Sequence, residues 1–219
     1  MLAGPLPTEI GQLSRLTSLW VFVLPTADMI AIPSEVTLLS NIRALALNGI
    51  ATPSDAWLTE ALLAMTALTA LTLYNDANVF GHDSSILPTQ IGRLTALEIV
   101  SLVNAGLTGT LPTEFALLTN LTSLALFINR LSGTIPTELG LLTDLVVLDL
   151  SENTLLTGFV PSEIGALTNL SVANFAFTRL SQQIPPDVCA LGLEVSMTER
   201  IFDPVVNEEY DVGLIDACN

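Results

Sequence analysis

The sequence predicts an α/β solenoid of stacked repeats. The expected form is a right-handed superhelix, with a parallel β-sheet on the concave side and short 3-10 or α segments on the convex side. Two observations carry this reading, and a physical argument joins them. Proline-centred segments recur at Leu6, Ile32, Leu87, Leu111, Ile135, Val160 and Ile184, and Trp57-Leu58 holds the equivalent place in unit three; together they divide the 219-residue chain into about seven units of 24 to 30 residues and an aperiodic end. Each unit carries one apolar triplet whose last two members alternate: Leu16/Leu19/Val21, Ile42/Leu45/Leu47, Leu68/Leu71/Leu73, Leu97/Val100/Leu102, Leu121/Leu124/Leu126, Leu145/Leu148/Leu150 and Leu170/Ala173/Phe175. That alternation is the period of a strand with one buried face. A unit this short cannot bury its leucines alone, so it must stack on copies of itself.

The stretch Leu121–Gly140, LTSLALFINRLSGTIPTELG, is the clearest copy, with leucines at 121, 124, 126 and 131, Asn129, and Gly133 ahead of Ile135-Pro136. It follows L-x-x-L-x-L-x-x-N-x-L, and its continuation L-x-G-x-I-P-x-x-L-G resembles the plant-type leucine-rich repeat. Ectodomains of receptor-like proteins and kinases and polygalacturonase-inhibiting proteins carry that subclass. The resemblance covers about residues 5–188. It implies recognition of a protein or peptide, without cofactor, by the extracellular part of a receptor-like or secreted protein. Residues 1–219 then form a single domain. Residues 1–5 are the remnant of a preceding repeat, 6–183 are seven repeats, and 184–219 are a C-terminal cap.

Within each repeat an asparagine after the strand would satisfy backbone groups inside the bend, yet it stands only at Asn129 and Asn153. Leu24, Ile50, Asp76, Ala105 and Thr178 hold its place elsewhere, so the N-terminal half is degenerate. Unit three also carries an insertion, Asp76 to Ser85, whose Gly, Asn, Asp and Ser content marks an exposed loop. Two hydroxyl ladders accompany the leucines. One runs Ser14, Ser40, Thr66, Thr95, Thr119, Thr143, Thr168; the other, after the proline, runs Thr8, Ser34, Thr59, Thr89, Thr113, Thr137, Ser162 beside Glu9, Glu35, Glu60, Glu114, Glu138 and Glu163. Pro-Thr/Ser-Glu is what a short helix start asks for, with the hydroxyl as cap and the acid facing the dipole.

The charge is lopsided, 22 acidic against 6 basic residues for a formal net −16. A field of that sign repels phosphate backbones, which argues against a nucleic-acid partner. Ala56–Tyr74 is apolar enough to suggest a membrane span, but its leucines fall in the repeat register, so it reads as a repeat; membrane attachment would come only through regions outside this chain. No basic n-region and apolar h-region open the sequence. The end of the chain holds both cysteines, Cys189 and Cys218. A disulfide between them would pin a cap over the last repeat and implies an oxidising, extracellular or cell-surface setting. Asn120 and Asn169 head Asn-x-Ser/Thr sequons at equivalent places in their repeats and are glycosylation candidates.

No constellation for catalysis is legible. His82 is the single histidine, which removes Ser/His/Asp triads and histidine metal clusters together. Neither a metal site nor a cofactor is expected. What remains is the outward side of the concave strands. Counting outward positions places Trp20, Phe22, Tyr74, Val103 and Phe127 on one surface with Phe177 near its edge, and Asp149, Ser151 and Glu152 at an acidic C-terminal end. Grouped exposed aromatics signal a partner. A secreted inhibitor of cell-wall hydrolases is one alternative. Ice or surface binding through the hydroxyl ladders is another, since some plant-type repeat proteins act that way.

Overall fold

The computed structural model describes residues 6–22, 30–51, 64–74, 85–193, 195–197, 200–203, 208–211, 215–216 and 218. Sequence features at residues 1–5, Leu24, Ala56–Leu63 (with Thr59 and Glu60), and Asp76–Ser84 with His82 lie outside them.

Two sheets run along the chain. The first has nine strands, one in each of the seven repeats and two in the cap: β1 (Ser18–Phe22), β3 (Ala44–Asn48), β5 (Ala70–Tyr74), β7 (Ile99–Val103), β9 (Ser123–Ala125), β11 (Val147–Asp149), β13 (Val172–Asn174), β15 (Val195–Met197) and β18 (Ile215–Asp216). All neighbours pair parallel and in register except the last, where β18 returns antiparallel to β15. The second sheet has five short strands: β6 (Ser85–Ile86), β8 (Leu107–Thr110), β10 (Asn129–Gly133), β12 (Asn153–Gly158) and β14 (Arg179–Leu180). Its middle three strands carry the L-x-G part of the L-x-G-x-I/L/V-P segments, with Gly109, Gly133 and Gly158. In the degenerate N-terminal half, β2 (Ile30–Ala31) and β4 (Ile50–Ala51) pair separately. A hairpin of β16 (Arg200–Asp203) and β17 (Glu208–Asp211) completes the strands.

Each Pro-Thr/Ser segment opens a one-turn 3-10 helix, at Thr8–Gln12, Ser34–Leu38, Thr89–Arg93, Thr113–Leu117, Thr137–Leu141 and Ser162–Ala166. Here one expectation is corrected: the hydroxyls do not cap these turns. Proline itself occupies the N-cap position, and no side-chain cap bond forms. The first hydroxyl falls one residue inside and donates to the neighbouring glutamate, as from Thr137 to Glu138 at 3.3 Å and Ser162 to Glu163 at 3.3 Å. Proline's fixed φ sets the entry to the turn, so the backbone closes it directly, Leu139 N–H to Pro136 O.

The core is the stack of leucines between the sheets and the 3-10 turns. Leu121, Leu124, Leu126, Leu131, Leu139, Leu142, Leu145, Leu148 and Leu150 are all fully buried. Their stacking brings consecutive 3-10 turns close together. A Cβ on Gly140 would lie 2.6 Å from Glu163 Cβ and against its carbonyl oxygen. Gly140→Ala is therefore expected to cost about 1–3 kcal/mol as an overpacking change. Urea unfolding read by circular dichroism measures it, and an unchanged midpoint would contradict this packing.

The turn asparagines act as expected. Asn129 donates to Leu126 O, Phe127 O and, one repeat back, Leu102 O at 2.7 Å, while its Oδ1 accepts from Ala105 N and Leu107 N. Asn153 repeats the pattern with Leu126 O, Leu150 O, Ser151 O and Leu131 N. So the repeat holding Ala105 needs no asparagine of its own, because the next repeat's amide reaches back to it. Thr178 covers part of the same task, donating to Phe175 O at 2.7 Å.

The C-terminal cap consists of helix α1 (Pro186–Cys189), packed on the 3-10 turn of Ser162–Ala166, and the β15–β18 pair that ends the first sheet. A Cys189–Cys218 disulfide joins the helix to the chain's end, with the Cα atoms 5.4 Å apart. At the opposite end, β1 is the outer strand of the sheet. Leu13 is 53% exposed there, although its counterparts Leu39, Leu94, Leu118 and Leu142 are fully buried.

Candidate functional site on the inner sheet

The outward side chains of the first sheet fall into three rows fixed by strand register. The first is Ser18, Ala44, Ala70, Ile99, Ser123, Val147 and Val172. Ile99 and Val172 are exposed apolar groups of this row. Neither stood among the expected contact residues, although both were legible as outward positions. The middle row is Trp20, Ala46, Thr72, Ser101, Ala125, Asp149, Asn174 and Ser196. The third begins Phe22, Asn48, Tyr74, Val103.

Trp20 and Phe22 stand on β1 at 68% and 66% exposure, the largest apolar groups this surface presents to solvent. Tyr74 and Phe127 are half-buried, further along the third row. At about 4.8 Å per strand, β1, β5 and β9 place these aromatics roughly 10 Å apart in succession. Small side chains at Ala46, Thr72, Ser101 and Ala125 floor the space beside them.

Two expected residues do not reach the surface. Val103 is 5% exposed: it sits one strand from Tyr74 on one side and beside Phe127 on the other, and these larger neighbours cover it. Ser151 is also 5% exposed. It turns toward Asp149, donating its hydroxyl at 2.6 Å and its N–H at 3.0 Å to Asp149 Oδ1. Asn174 donates to the other carboxylate oxygen at 3.2 Å and holds Ala176 N–H through its own Oδ1. Both Asp149 oxygens thus have protein donors, which hold this carboxylate in place within a local network. Asn174 was missed in the sequence; its signal was its position 25 residues after Asp149, one repeat on.

Glu152 and Phe177 lie off the rows, at the corner where the chain leaves the inner strand. Their φ values are 55° and 56°, and Asn104, Ile128 and Gly49 occupy the same corner at 50°, 57° and 66°. Glu152 is exposed there and Phe177 half-buried. The acidic character of this end therefore comes from Glu152 at the rim and Asp149 within the face. Asn120 and Asn169 sit at the opposite rim, before the inner strands begin, and both are exposed. Among the described residues no cluster of histidine, cysteine or carboxylate groups could hold a metal ion, and no helix is long and apolar enough to cross a membrane.

The Leucine Rich Repeat family model matches residues 144–167, the unit that spans β11 and β12. Joined to the parallel inner sheet and the repeating 3-10 turns, this decides the fold. The chain is a leucine-rich repeat solenoid. Similar solved structures include plant receptors. The leucine-rich repeat ectodomain of the membrane receptor kinase GASSHO1/SCHENGEN3 from Arabidopsis thaliana, in complex with CASPARIAN STRIP INTEGRITY FACTOR 2, is 31% identical with a TM-score of 0.69, covering 85% of this chain and 21% of that one. The plant peptide hormone receptor RGFR1, in complex with RGF2, is 27% identical with a TM-score of 0.71, covering 90% and 31%. A TDR receptor is 26% identical with a TM-score of 0.72, covering 89% and 32%. This leucine-rich repeat chain thus spans between a fifth and a third of the length of these three receptors. No curated protein matches it by sequence.

Proposed function

We propose that this leucine-rich repeat chain is a non-enzymatic recognition module that holds a protein or peptide ligand on its inner sheet. We place it outside the cell, in the ectodomain of a receptor-like protein or in a secreted one. The observation that carries the reading is the pair Trp20 and Phe22, both about two-thirds exposed on the same side of the sheet as Tyr74 and Phe127. Rigid aromatics give up little conformational entropy on binding and dominate interface energetics. The RGFR1 and GASSHO1/SCHENGEN3 ectodomains, which share the fold, are both complexed with a partner. The Cys189–Cys218 bond supports the extracellular setting.

The spacing narrows the ligand. An extended peptide laid across the strands advances about 3.3 Å per residue, so every third residue would meet the next aromatic. A segment of about seven residues would reach from Trp20 to Phe127. Its far end would approach Asp149 and Glu152, which favours a basic group there. The hydroxyl ladder after the prolines argues against a surface-binding role. Its hydroxyls lie beside carboxylates that accept from them, at 3.3–3.4 Å for Thr8, Ser34, Thr113, Thr137 and Ser162, so the row presents charge rather than a flat hydroxyl plane.

Panning a displayed library of linear peptides on the whole chain tests the proposal. The selected peptides are expected to bind the triple variant Trp20→Ala, Tyr74→Ala, Phe127→Ala at least about 30-fold more weakly, since one aromatic hot spot is worth about 2 kcal/mol. Unchanged affinity in a variant with a native circular dichroism spectrum would sink the inner-sheet site.

A further inference from the structure

Asn41, Asn120 and Asn169 occupy one position in three repeats, just before the inner strand, and all three are exposed. Each donates its Nδ2 to a backbone carbonyl one repeat back: Asn41 to Ser14 O at 2.8 Å, Asn120 to Thr95 O at 2.9 Å, Asn169 to Thr143 O at 2.9 Å. A primary amide has two N–H groups, and this ladder uses one. N-linked attachment of a sugar consumes one N–H and keeps the other. The solenoid can therefore carry a glycan here without giving up its inter-repeat bond. What separates the three is the residue two positions on: Thr122 and Ser171 supply hydroxyls, whereas Asn41 is followed by Arg43.

We propose that Asn120 and Asn169 carry N-linked glycans, which makes the rim where the inner strands begin a sugar-bearing edge and leaves the inner face open. In the transfer step the asparagine amide nitrogen attacks the anomeric carbon of a lipid-diphosphate-linked oligosaccharide. The N–C bond forms, the bond from that carbon to the diphosphate oxygen breaks, the lipid diphosphate leaves with the electron pair, and the amide proton passes to a base. The two carriers are two repeats apart, about 10 Å along the sheet. Phe127 lies two residues beyond the strand that begins at Ser123, about 13 Å across the sheet, so sugars on this rim lie away from the aromatic row. The proposal rests on the secretory setting but not on the identity of any ligand.

The experiment is the intact mass of the whole chain secreted from eukaryotic cells, before and after peptide-N-glycosidase. Two glycans are expected, with Asn120→Gln and Asn169→Gln each removing one. Arg43→Thr should add a third, because Asn41 already has the placement and the bond and lacks only the hydroxyl. A variant that is not secreted can be scored by the same count on chains translated into microsomes. A secreted, disulfide-bonded chain at bare polypeptide mass would overturn the proposal. So would glycan mass that persists when both asparagines are replaced, or an Arg43→Thr chain with no third glycan.

Discussion

Asn129→Ala is expected to lower the unfolding free energy by about 3–5 kcal/mol, far more than an ordinary polar substitution. The side chain is nearly buried, and its amide joins two repeats: Leu102 O, Leu126 O and Phe127 O accept from it, and Ala105 N and Leu107 N donate to it. Alanine would leave several of these groups without a partner inside the bend, at about 1–3 kcal/mol for each one that water does not reach. The loss is amplified because Ala105 has no amide of its own to fall back on. Asn120→Ala is the contrast: it removes one exposed bond to Thr95 O and should cost about 1 kcal/mol or less. Urea unfolding of both variants, followed by circular dichroism, decides the matter. Equal midpoints would mean that the buried amides are not what locks neighbouring repeats together.

Reduction of Cys189–Cys218, or Cys189→Ser, is expected to cost about 3.5 kcal/mol, the chain-entropy value for closing a loop near 30 residues. The bond spans 29 positions and ties α1 to the end of the chain. Helix α1 covers the last 3-10 turn, and β15 with β18 covers the end of the inner sheet. In a solenoid each unit is supported by its neighbours, so a loosened cap exposes the leucines of the repeat beneath it and unfolding spreads from that end. Thermal melts with and without reductant measure the loss, and mass spectrometry under the same two conditions verifies the bond. Identical melting curves would assign the cap's stability to packing alone.

The leucine pattern made most of the architecture legible. The x-L-x-L-x alternation assigned Leu124 and Leu126 to the core, and both are fully buried there. The glycine–proline segments marked where the chain returns, although that they join into a second sheet was not read from them. The site was only partly legible, because parity gives the direction of a side chain and not its exposure. Val103 points outward by parity and is covered by its neighbours along the sheet. Ser151 also does so by parity, and its hydroxyl is drawn to Asp149. Asn174 escaped notice because its importance lies in a bond to a residue one repeat away.

By itself the sequence determined the repeat, its period and its buried face, since each follows from hydrophobic spacing; that Cys189 and Cys218 lie close enough to bond was an expectation the structure bears out. Only the tertiary structure decided what the corners and rims do. Five residues as different as Gly49, Asn104, Ile128, Glu152 and Phe177 share one left-handed corner at φ from 50° to 66°. That conformation is costly for a β-branched residue such as Ile128. The stacked turn imposes it on whatever residue falls there, because the bonds on either side, Ile128 N–H to Ser151 O and Glu152 N–H to Ala176 O, run to the next repeat. Such bonds join residues about 24 positions apart, beyond the reach of local propensity, and they fix both the corners of the solenoid and the face it presents.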